Sequence, residues 1–171
     1  MTEMKNWTIR DPLDESTKFG PMARSDLANQ VHLQVIKSVA MGAKLLTGGT
    51  GNEKFKYPPT LLVNVTGEMP VFSEEVFGPV IAIAKVNGEN DAVKLANNSE
   101  YGLGAVIFSR NTERVKREIV PQIQCGMVFV NENVKSMVQV PFGGIKASGV
   151  GRELGIEGIK EFCNVKTVYI G

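Results

Sequence analysis

Short β-prone runs that alternate with amphipathic helical segments constrain the fold of this chain more than any other feature. Three such runs lie at Val80 to Val86, Ala105 to Phe108 and Met127 to Val130. Between them, Asp91 to Asn97 and Thr112 to Val120 have the spacing of apolar residues that is typical of helices. Strands that alternate with helices favour parallel pairing, with the helices packed on the sheet. We therefore expect an α/β fold with an open, mostly parallel sheet flanked by helices.

The first half of the chain adds a longer helix and two further extended runs. From Ser25 to Met41 the apolar residues form a broad stripe at helical spacing, and Gly42 follows as a stop signal. Lys44 to Leu46 and Pro59 to Val65 are β-prone. With 171 residues and no internal repeat, the sequence predicts one α/β unit with its own core.

A last strand-like segment, Val165 to Ile170, has no sequential neighbour with which it could form a hairpin. A strand at the edge of a sheet leaves a row of backbone groups unpaired unless something covers it. We therefore expect this segment to pair with another part of the chain or with another subunit.

The composition argues against nucleic acid and membranes as partners. Lys and Arg number 19 and Asp and Glu number 18, so the net charge is +1 and no basic patch is expected. No apolar run approaches the ~20 residues that a membrane-spanning helix needs, and the N-terminus has no secretory pattern. The two cysteines have no CxxC spacing, so a reducing cytoplasm is the expected location.

The segment EEVFGPV at 74–80 places a carboxylate, Glu75, two residues before an aromatic ring, Phe77. A carboxylate can accept hydrogen bonds from two vicinal hydroxyls, as acidic residues do on a ribose, and the ring can pack on the same ligand. Gly78 and Pro79 would end the element and allow close backbone approach. On spacing alone, a helix end that merely docks on the core is the alternative interpretation.

The segment PFGGIKASGVGRE at 141–153 is rich in glycine but does not have the order of a phosphate-binding loop. A P-loop requires GxxxxGK[ST] after a strand, and a dinucleotide-binding turn requires GxGxxG. Neither pattern occurs here, so this segment is interpreted as a tightly turning connection.

Cys125, Cys163 and His32 are the remaining candidates for catalysis or metal binding. Cys125 precedes a β-prone run, and Cys163 is expected on the inner side of a short helix with Ile159 and Phe162. Neither has a histidine, a basic cluster or a helix start beside it that would activate a thiol. His32 lies at the border of the apolar stripe and is expected to pack there. We therefore expect no catalytic residue and no metal ligand in this chain.

Several motifs in register resemble the aldehyde dehydrogenase superfamily. These are DPLDESTKFGPM at 11–22, GAKLLTGG at 42–49, EEVFGPV at 74–80, PFGGIKASGVGRE at 141–153 and a closing KTVYIG. They occur in the family's order, and the resemblance extends from residue 10 to the end of the chain. Within the superfamily, the chain is most similar to the subgroup that includes succinate-semialdehyde dehydrogenases.

The resemblance implies roles for particular residues. The second Glu and the Phe of the EEVFGP motif contact the nicotinamide ribose in this family, which implies that Glu75 and Phe77 bind NAD or NADP. The Phe of PFGG lines the aldehyde tunnel, which implies that Phe142 binds substrate. The last strand takes part in subunit assembly, which implies an oligomerisation segment at 165–171 and a homo-oligomer. Lys135 and Ser136 could meet an acidic substrate tail or lie in a solvated loop.

In this family a thiolate attacks the aldehyde, hydride passes to NAD(P), and a Glu base activates the water that hydrolyses the thioester. The family's cysteine, base and nucleotide-binding domain all precede the region that this chain resembles. Residues 1–171 are therefore expected to form the C-terminal part of the catalytic domain, without an N-terminal nucleotide-binding domain. We expect the isolated chain to be inactive and to bind no cofactor tightly. The alternatives are a non-catalytic oligomerisation module, or half of a split enzyme that needs its N-terminal half.

Overall fold

The structure, a computed structural model, describes residue 4 and residues 6–51 and 55–171 of the chain. The residues group into two compact units, Met1–Asn87 and Gly88–Gly171, where the sequence suggested one. Each unit has its own cluster of buried apolar side chains.

The first unit is built around the helix α1, Ser25–Ala40. The sequence predicts this helix because Ala28, Val31 and Val35 recur on one side, and all three are almost fully buried. Arg24 is the N-cap residue and its side chain makes no capping hydrogen bond. At the other end Gly42 adopts a φ of 108°, which ends the helix as expected.

The stripe of apolar residues on α1 is wider than the surface that covers it. Leu33, Ile36 and Val39 are 50%, 44% and 38% exposed. Ile36 and Val39 are thus apolar residues of the stripe that are not buried. A helix buries only the sector that faces a neighbouring layer, and within its unit α1 has that layer on one side.

A three-stranded sheet packs against α1, with the strands β1, Lys44–Thr47, β2, Thr60–Val63, and β3, Val80–Ile83. β1 pairs antiparallel with β2, and β2 pairs parallel with β3, with Thr60 opposite Val80. The short helix α2, Pro70–Ser73, lies between β2 and β3. The core of this unit consists of Ala28, Val31, Val35, Ala43, Tyr57, Leu62, Val65, Met69 and Val71.

The second unit contains two small sheets and three helical segments. The strands are β4, Tyr101–Gly102, β5, Gly104–Ile107, β6, Met127–Val130, and β7, Ile145–Lys146. β5 and β6 pair parallel, whereas β4 and β7 pair antiparallel. The helical segments are α3, Glu89–Asn97, α4, residues 112–122, and α5, Gly155–Lys160.

The segment α4 changes its hydrogen-bonding pattern along its length. It begins as an α-helix at Thr112–Arg114, widens to a π-helix at Val115–Ile119 and ends as a 3₁₀ turn at Val120–Gln122. Asn111 caps its start, because the Asn111 Oδ1 accepts the backbone N–H of Arg114 at 3.0 Å. Val115 and Ile119 pack with Val93 of α3 to form the core of this unit.

The α/β class, with open sheets and flanking helices, is confirmed, although among the described strands two of the four pairings are antiparallel. The expected strand from Val165 to Ile170 is not formed within the chain. Val165, Val168, Tyr169 and Ile170 are 74–92% exposed. A strand exists only by backbone pairing with a neighbour, and no described residue pairs with this segment.

No helix among the described residues is long and apolar enough to cross a membrane.

Candidate functional site

The segment that joins α2 to β3, residues 74–79, is held at both ends by backbone hydrogen bonds. The Glu74 N–H donates to the Pro70 carbonyl at 3.1 Å, and the Thr60 N–H donates to the Pro79 carbonyl at 2.8 Å. Gly78 lies so close to α1 that a Cβ atom there would be 2.8 Å from the Val31 Cγ2. The glycine is therefore explained by packing within the unit, and the segment has a fixed position on the core.

Gln34 of α1 anchors the first two residues of this segment. Its Nε2 donates to the Glu74 Oε2 at 2.9 Å and to the Glu75 carbonyl at 3.1 Å. One turn further along α1, the Ser38 Oγ accepts the Val71 N–H at 3.1 Å. Gln34 and Ser38 are both buried, so two polar side chains of α1 hold α2 and the residues that follow it.

Glu75 and Phe77 are the residues of this segment that remain available to a ligand. The Glu75 side chain is exposed, and its carboxylate accepts no hydrogen bond from any described residue. The Phe77 ring is 66% exposed. It lines an apolar depression of about 290 Å³ together with Met22, Ala23, Leu27, Val76 and Gly78. The segment thus presents two acceptor oxygens and an exposed aromatic ring on residues two positions apart.

These two side chains are suited to a ligand that carries a vicinal diol next to an apolar group. A free carboxylate has the two acceptors that a vicinal diol requires, and an exposed ring provides an apolar surface for the neighbouring group. Because Glu74 is already engaged by Gln34, only Glu75 of the two adjacent carboxylates is free for this role.

Phe142 lies in the second unit, where the glycine-rich segment folds back on itself. Its N–H and carbonyl exchange hydrogen bonds with Glu153, at 2.7 and 2.8 Å. The Arg152 Nη1 donates to the Gly144 and Gly151 carbonyls at 2.9 and 2.6 Å. Phe142 is half-buried at a depression of about 400 Å³. Leu103, Ser148, Arg152, Glu161, Phe162 and the glycine-rich backbone also line this depression.

The polar side chains of the glycine-rich segment are used inside the fold. The Lys146 Nζ donates to the Asn97 and Ser99 carbonyls, both at 3.0 Å. The Ser148 Oγ accepts the Gly102 N–H at 3.0 Å. These bonds support the interpretation of the segment as a turning connection, because both side chains bond backbone groups of the unit.

The glycine content of this region also permits a close contact with the start of β6. A Cβ atom on Gly126 would lie 1.8 Å from the Gly143 carbonyl oxygen. Gly126 was not singled out from the sequence, since its partner lies seventeen residues later in the chain and no local pattern connects them.

The two thiols differ from the expectation in one respect. The Cys125 Sγ is half-buried and donates to the Met127 carbonyl at 2.9 Å. Cys163 is exposed, and so are Ile159 at 67% and Phe162 at 93%, so the expected inward orientation of this group is wrong. The reason is that α5 has only six residues and turns Gly158, not these side chains, toward the unit. Neither cysteine lines the depression at Phe142.

The remaining candidates are His32, which packs against Tyr57, and Lys135 and Ser136, which lie in an exposed loop. The His32 ring packs edge-on against Tyr57 at a centroid distance of 6.0 Å, although its buried Nδ1 has no partner among the described residues. Burial raises the pKa of the Tyr57 hydroxyl. The Lys135 Nζ pairs with Glu132 at 3.2 Å in an exposed loop, and Ser136 is exposed. No group of His, Cys, Asp and Glu suitable for a metal occurs in the described residues.

The site residues expected from the sequence thus lie in both units, Glu75 and Phe77 in the first and Phe142 in the second. Gln34 was missed, because a glutamine on a helix is usually exposed and nothing in the local sequence marks it as buried.

Comparison with known proteins gives consistent matches. A profile of the aldehyde dehydrogenase family matches residues 1–168. The NAD(P)+ succinate semialdehyde dehydrogenase Sad of Escherichia coli is 49% identical over 164 residues, which are 93% of this chain and 35% of the relative. An NADP+ succinate-semialdehyde dehydrogenase of Mycobacterium ulcerans is 38% identical over 99% of this chain and 37% of its own length.

A solved structure agrees with these sequence matches. The succinic semialdehyde dehydrogenase of Streptococcus pyogenes, in complex with NADP+, has a TM-score of 0.90 and 37% identity. The match covers 99% of this chain and 37% of that one. The chain therefore spans little more than a third of the length of these relatives. Since the family profile covers nearly all of its residues, the chain belongs to the aldehyde dehydrogenase family.

Proposed function

We propose that this chain contributes the nicotinamide-ribose contact and one wall of the substrate tunnel to an NAD(P)-dependent dehydrogenase that oxidises succinate semialdehyde or a similar aldehyde. The observation that carries the proposal is the free carboxylate of Glu75 beside the open ring of Phe77, on a segment fixed to the core. The names of the relatives support the substrate class, since those of E. coli and M. ulcerans both act on succinate semialdehyde.

Each residue has a defined task in this proposal. Glu75 accepts hydrogen bonds from the two ribose hydroxyls, and Phe77 packs beside the nicotinamide end. Phe142 forms part of the apolar tunnel along which the aldehyde approaches. NAD or NADP, when bound, supplies the hydride acceptor.

The proposed cytoplasmic location agrees with the free state of both cysteines.

A hybrid enzyme tests the proposal, with residues 1–168 of this chain in place of the matching third of the E. coli relative. Replacing Glu75→Gln removes the charge from the acceptor, and replacing Phe77→Ala removes the ring. Because a hydrogen bond to a charged group contributes about 1.5–3 kcal/mol, the KM for NAD(P)+ should rise about tenfold or more in Glu75→Gln. Phe142→Ala should instead change the KM for the aldehyde.

Glu68→Gln is the matched control, because Glu68 is another exposed carboxylate of the first unit. It should leave both KM values unchanged. An unaltered KM for NAD(P)+ in both Glu75→Gln and Phe77→Ala would contradict the proposed cofactor contact.

The isolated chain is expected to show neither turnover nor a calorimetric isotherm with NAD(P)+. Glu75 and Phe77 supply only a few contacts, which do not offset the entropy lost on association, about 4–15 kcal/mol. A clear isotherm in the micromolar range would overturn this expectation.

The exposed C-terminal segment favours a second role in assembly. Its backbone pairs with no residue that the structure describes and its apolar side chains are exposed, so we propose that Val165 to Ile170 pairs with a second copy by strand addition. Light scattering over a range of concentrations should show a homo-oligomer, and a strict monomer at high concentration would contradict it. A non-catalytic assembly module would self-associate in the same way, but the hybrid enzyme would then show no effect of Glu75→Gln.

A further inference from the structure

Gln34 is the buried polar side chain of α1 that is tied to the proposed cofactor segment. It is 3% exposed, although glutamine is rarely found in a protein core. Burying an amide is unfavourable unless hydrogen bonds satisfy it, so its position needs an explanation in terms of its partners.

Both partners of Gln34 are oxygen acceptors. Its Nε2 donates to the carboxylate of Glu74 and to the backbone carbonyl of Glu75, residues that lie 40 and 41 positions later. A donor with two hydrogens satisfies both acceptors, whereas Glu at this position would present an acceptor to each. The Oε1 has no partner among the described residues, so the donor end of the amide determines its orientation.

The backbone conformation at Glu74 affects the direction in which the Glu75 side chain points. Glu74 is extended, with φ −108° and ψ 161°, so neighbouring side chains point to opposite sides. Glu74 is exposed but bonded to Gln34, Val76 packs against the core, and Glu75 and Phe77 are exposed. Holding Glu74 and the Glu75 carbonyl against α1 therefore directs the Glu75 carboxylate outward.

We propose that Gln34 is a positioning residue that sets the orientation of Glu75 for the ribose hydroxyls. The inference rests on the proposed function, since it assigns Gln34 a task within the same cofactor contact. Gln34 itself acts through Glu75 and does not touch the ligand.

The hybrid enzyme tests the functional side. Gln34→Leu removes both donated hydrogen bonds and keeps a side chain of similar volume. The KM for NAD(P)+ should rise about tenfold while kcat changes much less, because the affected contact binds the cofactor and does not enter the chemical step.

A reciprocal exchange gives the sharper test. Gln34→Glu should raise the KM further, since it places a second carboxylate against that of Glu74. Adding Glu74→Gln replaces the Glu74 carboxylate by an amide, whose N–H groups can donate to the carboxylate introduced at position 34. The double variant should recover about threefold or more of the lost affinity, as expected for residues in direct contact.

The 171-residue chain itself provides a readout that is independent of activity. In a 15N–1H NMR spectrum, the Gln34 side-chain NH2 signals should exchange slowly with water. Gln34→Leu should shift the backbone signals of residues 74–77. Thr60→Val is the matched control, because Thr60 is also buried and the Oγ1 that the substitution removes bonds only Gly49 and Pro58, whereas the Thr60 N–H that bonds the Pro79 carbonyl is kept.

The outcomes separate the two proposals. If Glu75→Gln raises the KM and Gln34→Leu does not, Gln34 is only structural and the inference is wrong. If neither variant alters the KM, the proposed cofactor contact itself is wrong. If Gln34→Leu and Thr60→Val lower the melting temperature and raise the KM equally, general destabilisation explains the effect and the positioning role is refuted.

Discussion

Replacing Gly126 by alanine should destabilise the second unit severely. Gly126 does not have a positive φ, so alanine can adopt its backbone conformation and only the space around it matters. The added Cβ would lie 1.8 Å from the Gly143 carbonyl oxygen and 2.8 Å from its carbonyl carbon. Since observed Cβ contacts are not shorter than 3.0 Å, the two backbone segments would have to separate by more than 1 Å.

The expected loss of stability is large because both neighbouring atoms belong to the backbone. Overpacking that side chains can relieve costs about 1–3 kcal/mol, and here no side chain can move away. We therefore expect a loss of about 3 kcal/mol or more. For a unit of this size, each kcal/mol lowers the melting temperature by about 4–8 °C, so the decrease should exceed about 12 °C.

Thermal unfolding followed by circular dichroism measures this effect. Gly20→Ala is the matched control, since the nearest atom to its added Cβ would be Pro12 Cβ at 3.8 Å, an ordinary contact. A Gly126→Ala protein that unfolds within about 1 °C of the parent would refute the close contact between the start of β6 and the glycine-rich segment.

Three further predictions concern the helices and the C-terminal segment. Asn111→Ala removes the cap on the Arg114 N–H and should lower the free energy of unfolding by about 1 kcal/mol in urea denaturation. The side-chain hydrogen bond from Arg24 lowers the pKa of Asp26 to about 2, so its stabilising effect is present above pH 3.8 and lost as the pH falls toward 2. The stability difference between the parent and Asp26→Asn should therefore shrink over that range, and a difference at pH 2 as large as that at neutral pH would argue against the pair. Val168→Glu should abolish self-association in light scattering, and an unchanged oligomer would exclude the C-terminal segment from the interface.

Features set by neighbouring residues could be predicted from the sequence. The helix α1 follows from apolar spacing within sixteen residues, and the Asn111 cap follows from a side chain that bonds three residues ahead. In each case the partners are close in the chain, so the pattern and its cause appear together.

Features set by distant partners could not be predicted. Gln34 is buried because its acceptors lie 40 and 41 residues away, and spacing on one helix contains no information about them. The clash expected at Gly126 depends equally on how a later loop approaches. The segment from Val165 to Ile170 has the composition of a strand, but a strand requires a partner that no described part of the chain provides.

The exposed position of Cys163 has a practical consequence. Its sulfur lies on the surface two residues before Val165, whereas that of Cys125 is half-buried. A maleimide fluorophore should therefore label one native position without any engineered cysteine. Quenching or energy transfer between labelled copies would then follow the approach of neighbouring subunits in real time.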